Sequence, residues 1–252
     1  MRTSSPANIV PIMDGVAQLG QEILNASDTA AGASDDRRIW ALFFLARCLD
    51  AFGSIRTLVE HDRVVDAMAL TRVLYEAEIS FLYIYGAGQD DARQRERLLL
   101  WRRDGLRQFL RREKHLAELR DGGSRDSDDV GRWAVDTATS GIREIDAELT
   151  KLGAADKADL SIIDKAKAVR LENTYAIVYR DSSAAMHTSP MLLGEYLLAG
   201  GRGGHRMADY GPTLLIVGSQ MIARLCAAVG GIVGFAALER AGEYSTRLAR
   251  LA

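Results

Sequence analysis

Apolar residues recur along most of this chain at steps of three and four, the spacing that lines one face of an α-helix. Alternating β-branched runs between tight turns, the mark of strands, are almost absent. Between Arg37 and Glu60, Leu42, Leu45, Leu49, Phe52 and Ile55 keep the helical step, and Trp40, Phe43 and Phe44 widen the stripe. Ser34-Asp35-Asp36 supplies helix-start chemistry before it. His61-Asp62 marks a turn, with Asp62 placed to cap a second helix from Arg63 to Tyr85. So short a link predicts a long antiparallel hairpin. A loop at Gly86–Asp91 precedes a charged helix, Ala92–Arg120, and Asp121–Gly131 breaks the pattern before another helix runs to Leu152. Shorter helices follow at Leu160–Val169, at Glu172–His187 and after Ser189-Pro190. A glycine-rich loop, Gly200–Gly211, leads into a last apolar helix, Pro212–Leu238. The expectation is an all-α bundle of about seven or eight helices. It reads as one domain over 1–252, with the charged stretch 89–152 as a helical insertion.

Charge and composition narrow the function. With 32 Lys+Arg against 34 Asp+Glu the net charge is −2, which excludes a wholesale polycation but not a local basic patch. Cys48 and Cys226 sit far apart in apolar surroundings and make neither a disulfide framework nor a Cys-x-x-Cys knuckle, so a reduced, cytoplasmic setting is expected. No signal-peptide pattern opens the chain, because the stretch after Met1–Asn8 carries Pro11 and Asp14. Pro212–Leu238 is long enough to span a bilayer, but Ser219, Gln220 and Arg224 stand near its middle. Ala223, Ala227 and Gly231 recur every fourth position, a pattern that admits a close partner helix, so the segment reads as a buried core helix and no membrane association is expected.

The chemistry-bearing motifs are few. Four histidines, His61, His115, His187 and His205, form no His-x-x-x-His or Glu-x-x-His pair, so neither metal nor cofactor is expected. Neither a Walker loop nor a dinucleotide fingerprint is present. Two constellations remain. Arg72 and Glu76 are four apart on the second hairpin helix and can pair on one face of an otherwise apolar element, as structural glue or as a polar pocket. Tyr179-Arg180-Asp181 leads to His187, and the step from Arg180 to His187 covers about 700°, nearly two full turns. Arg180 and His187 therefore project from one helix face, with Ser183 between them and Tyr179 on the edge of the stripe. Arg56 and His61 form a rival pair about 140° apart. On the charged helix, Arg102 and Arg103 are placed to contact RNA on an exposed face, against the plainer reading of a solvated charged surface.

Arg180-Asp181-x5-His187 resembles the signature of the HEPN superfamily, all-α nucleotide-binding and ribonuclease domains that carry Arg, a polar residue and a downstream His. SIRTLVE at Ser54–Glu60, RVLYEAEISFLYI at Arg72–Ile84 and YRDSSAAMH at Tyr179–His187 also resemble a bacterial family of unknown function. The superfamily resemblance implies a homodimer in which both copies of Arg180 and His187 face one cleft and cut RNA without metal, in a toxin or phage-defence setting with an antitoxin or defence-system partner. His187 would be the general acid or base, Arg180 would stabilise phosphate charge, and Asp181 would orient them. Arg72, Glu76, Tyr179 and Ser183 would support the site. A non-catalytic regulatory or scaffolding partner and a nucleotide-binding bundle remain open alternatives.

Overall fold

A computed structural model of the chain describes residues 6–28, 36–86, 88–120, 128–186 and 210–251. Among the described residues there are nine α-helices and no strand. They are α1 (Pro6–Asp28), α2 (Asp36–Glu60), α3 (Val64–Tyr85), α4 (Asp91–Arg120), α5 (Asp128–Lys151), α6 (Ile162–Ala168), α7 (Glu172–Met186), α8 (Tyr210–Val233) and α9 (Leu238–Ala249). The all-α expectation holds, and the helix expected after Ser189-Pro190 lies outside the described residues. The helices gather into two compact units, one from Met1–Tyr83 with Ile162–Ala252, the other Ile84–Ser161.

In the first unit α8 packs against α1, α2 and α9. It passes for a membrane span by length and hydropathy, yet 56% of its apolar window is buried inside the protein. Leu215, Met221, Ile222, Leu225, Cys226 and Val229 supply that burial. The close approach to α2 falls at Gly218, where a Cβ would come 2.9 Å from the Phe52 ring. Of the expected small-residue seam, Ala223 is fully buried and Ala227 partly so, while Gly231 faces open space. The α2–α3 hairpin forms, with Phe44 and Phe81 meeting edge to face at 5.8 Å.

Three sequence expectations need correction here. α1 has no counterpart among the expected helices, where Pro11 and Asp14 count only against a signal peptide. Pro11 does forgo one helical bond near the start, but Ile9, Ile12, Met13, Val16, Leu19 and Ile23 form a continuous buried stripe, and that burial outweighs the lost bond. The expected helix Pro212–Leu238 ends at Val233, since Gly234 turns left-handed (φ 79°) and the Phe235 N–H closes back on the Gly230 carbonyl at 2.8 Å. Asp62 does not cap α3. It adopts φ 57° and ends α2 by the same closure, Arg63 N–H to Leu58 carbonyl, 2.7 Å.

The second unit is built on α4 packed against α5. Leu99, Leu100, Ile145, Leu149 and Ala154 form its apolar centre, with Leu106 packed against them. Ionic contacts run beside that core: Arg95 to Glu148 (2.7 Å), Arg103 to Asp146 (2.8 Å), and Lys157 to Glu96 (2.7 Å). The charged stretch 89–152 lies in this unit.

Candidate functional site

The polar residues of α3 meet α7. Arg72 Nε donates to Glu76 Oε1 at 2.8 Å, the bond that a four-residue helical step permits. Tyr179 of α7 lies against the Arg72 guanidinium, whose carbon is 4.3 Å from the ring centroid. One turn earlier on α7, the Tyr175 O–H points to Glu76 Oε1 at 3.4 Å, the long end of hydrogen bonding. Tyr175 also stacks on Tyr75 of α3, with ring centroids 6.3 Å apart, and lies 5.5 Å from the Tyr179 ring. Two i, i+4 pairs, Arg72/Glu76 and Tyr175/Tyr179, thus face each other. This is an ion pair clasped by two aromatic rings.

The electrostatics follow from that burial. Tyr175 is pushed up to about 12, first by burial and then by the Glu76 carboxylate beside it. Burial also raises Tyr75, whose hydroxyl is buried without a hydrogen-bond partner among the described residues. Both phenols stay protonated through the neutral range. The Arg72 side chain retains 21% exposure and Glu76 33%, so the ion pair opens to solvent along one edge.

A second ion pair spans α3 and α8. Arg224 grips Glu78 with both ends of its fork, Nε to Oε1 at 2.7 Å and Nη2 to Oε2 at 3.1 Å. Glu78 is wholly buried while Arg224 remains 46% exposed. An isolated buried carboxylate would be prohibitive, and the bidentate arginine makes it tolerable. Arg224, which marked α8 as a poor membrane span, is thus the counter-ion of a core glutamate.

Arg180, Asp181 and Ser183 belong to α7, but their side chains, and His187 altogether, lie outside the described residues. Arg56 of the rival pair is spent on Asp14 of α1 and on Glu60, and the His61 ring nitrogen meets the carbonyl of Thr57 in the last turn of α2 at 2.8 Å. Arg103 was expected on an exposed face and is instead buried. Its guanidinium holds Asp146 (2.8 Å), the Ala155 carbonyl (3.0 Å) and the Lys157 carbonyl. No N–H of it is presented to a nucleic acid, because the fold has already taken the fork. Arg102 is half-buried and interacts within the protein. Among the described residues no group of three or more His, Cys, Asp or Glu is arranged to hold a metal ion.

Tyr75 and Tyr175 stand within the two motifs that the sequence offers, but sequence reasoning gave neither a role in the cluster. The i, i+4 step from Tyr175 to Tyr179, matching that from Arg72 to Glu76, is the signal that was available. The Glu78–Arg224 pair left no such trace, since its partners are 146 positions apart.

Comparison with known proteins finds no matching curated protein and no matching solved structure. The sequence does match the profile of a family of unknown function, DUF5677, over residues 38–205. That match takes in α2 to α7 and includes Arg72, Glu76, Tyr175, Tyr179 and Arg180, while α1, α8 and α9 lie beyond it. Covering two thirds of the chain, it makes this protein a member of the DUF5677 family.

Proposed function

We propose that this protein is a HEPN-like, metal-independent endoribonuclease, acting as a homodimer in the cytoplasm as a toxin or phage-defence effector. The observation that carries the reading is the clasp of Tyr179 on Arg72. It pins α7 to α3 at the residue immediately before Arg180-Asp181, where a helix bearing reactive groups needs a fixed rotation. Nothing about a core helix requires an arginine, a glutamate and three tyrosines at that seam. Apolar side chains of similar volume would pack as firmly.

In this reading His187 takes the proton from the ribose 2′-hydroxyl, or returns one to the leaving 5′-oxygen, the work for which an imidazole titrating near neutrality is suited. Arg180 stabilises the charge that develops on the phosphate, and Asp181 orients the pair. Arg72 and Glu76, with Tyr179 and Ser183, hold the helix. One Arg and one His per chain grip a phosphodiester poorly, and a two-fold axis through Glu172–Tyr196 supplies a second set automatically. An antitoxin or another defence protein would restrain the activity.

The test is cleavage of a mixed RNA pool with EDTA present. Cutting should persist in the wild type and vanish in both Arg180→Ala and His187→Ala, with His187→Ala still dimeric by light scattering. A folded wild type that leaves RNA intact, or variants that cut as well as it does, would defeat the nuclease reading in favour of a non-catalytic helical partner.

A further inference from the structure

Resting on the nucleotide-directed reading above, we infer that Arg72 is itself a substrate-contacting residue, its free guanidinium edge taking a phosphate of an RNA chain. An arginine side chain carries five N–H donors. Here the single Nε–H is spent on Glu76, and one face of the guanidinium is covered by Tyr179. The four N–H groups on Nη1 and Nη2 have no acceptor among the described residues, although the side chain is only 21% exposed. The fork therefore reaches solvent with one donor in five committed inside the protein, and its Nη groups can exchange water for the oxygens of a ligand.

Arg103 shows what a structural arginine looks like in the same chain: both of its Nη groups are spent on carbonyl and carboxylate oxygens. Arg72 is positioned by a carboxylate at its Nε and an aromatic ring on its face, and its fork is left open. The Nη1–Nη2 edge fits two oxygens of a phosphate at once, and a pre-aimed fork loses little entropy in binding. Glu76 cancels the charge of Arg72, so the contact depends on fork geometry more than on net charge. That predicts a residue lysine cannot replace. Tyr179, 40% exposed beside the fork, supplies an aromatic surface on which a base can stack, which favours a nucleotide over a bare anion.

The experiment uses the full chain carrying His187→Ala and a fluorescent 2′-O-methyl oligoribonucleotide, which cannot be cut. Inorganic phosphate and adenosine monophosphate serve as competitors, to separate a phosphate-only contact from nucleotide recognition. Arg72→Gln and Arg72→Lys should each weaken oligonucleotide binding by about tenfold or more, with helicity and melting temperature near those of the parent. Arg63→Gln, which removes an exposed arginine paired with Asp66 at the start of the same helix, should leave affinity unchanged. If Arg72→Gln fails to fold, Arg72→Lys, which can keep Glu76 paired, carries the test. Parental affinity in the folded Arg72→Lys variant, or no binding by the folded parent, overturns the inference. RNA cutting by the wild type alongside unaltered binding in Arg72→Lys would sink this inference while sparing the nuclease reading. Arg72-dependent binding without any cutting would do the reverse.

Discussion

A guanidinium held by three oxygens in a buried site is close to irreplaceable, and Arg103 is such a case. It joins α4 to Asp146 of α5 and to the Ala155 and Lys157 carbonyls of the segment that follows α5. Those carbonyls belong to loop backbone with no helical partner to fall back on, so removing the fork strands them together with Asp146. Arg103→Ala should therefore destabilise the second unit by about 3 kcal/mol, and Arg103→Lys by more than half of that, because an ammonium cannot span the three acceptors. Exposed Arg111→Ala on the same helix should change stability by less than about 0.5 kcal/mol. Urea unfolding followed by the fluorescence of Trp101 and Trp133, both in this unit, reads the difference. Equal effects at 103 and 111 would mean that the buried cluster contributes nothing beyond a surface charge.

Helix ends show how far local sequence carries the fold and where it stops. Four termini close the same way, with a left-handed residue at Asp62, Gly153, Arg170 or Gly234 and the next N–H returned to a carbonyl five residues back. Glycine at two of these positions announces itself in a sequence, whereas Asp62 and Arg170 do not. Arg170 is the strained member, since φ 60° brings its Cβ against backbone that glycine would leave clear. Arg170→Gly should thus stabilise the α6–α7 corner by roughly 0.5–1 kcal/mol, less the entropy glycine returns to the unfolded chain. A lower melting point for that variant would show that the arginine side chain makes a compensating contact. The hairpin and the spacing of Arg72/Glu76 were legible because each is encoded within one or two adjacent helices. The end of α8 was not, because hydropathy runs on past Gly234 while the backbone turns. The clasp of Tyr175 and Tyr179 on Arg72 and Glu76 was half legible: each pair shows its i, i+4 step, but only tertiary folding brings positions 99 apart into register. For Arg103, a charged helix reads as solvent-facing until the acidic side chains of α5 are packed along it.

At the scale of the whole molecule, buried titratable groups set how stability responds to pH. Cys48 on α2 and Cys226 on α8 are fully buried free thiols of the first unit, each pushed from an ordinary 9.0 to about 12, in both cases chiefly by burial. In the folded state they keep their protons where the unfolded chain gives them up. The folded state therefore binds more protons above pH 9.0, and stability must fall as pH rises from there towards about 12. Below that window the contribution of the thiols is fully present. The limiting slope is about 1.4 kcal/mol per pH unit for each thiol, so two of them could cost a few kcal/mol by about pH 10.5. Tyr175, also raised to about 12, adds to the loss only above its ordinary 10.0. Because the chain has two compact units, the reporter must belong to the first, and Trp40 on α2, with Trp101 and Trp133 changed to Phe, serves that purpose. Replacing both cysteines by alanine should lower stability near neutral pH by about 1–3 kcal/mol through small cavities. The same double variant should flatten the alkaline decline, so that its urea midpoint approaches or crosses that of the parent by about pH 10.5. Parallel pH profiles for the two proteins would show that the buried thiols do not govern the alkaline limb, and would shift the cause to the tyrosines of the α3–α7 seam.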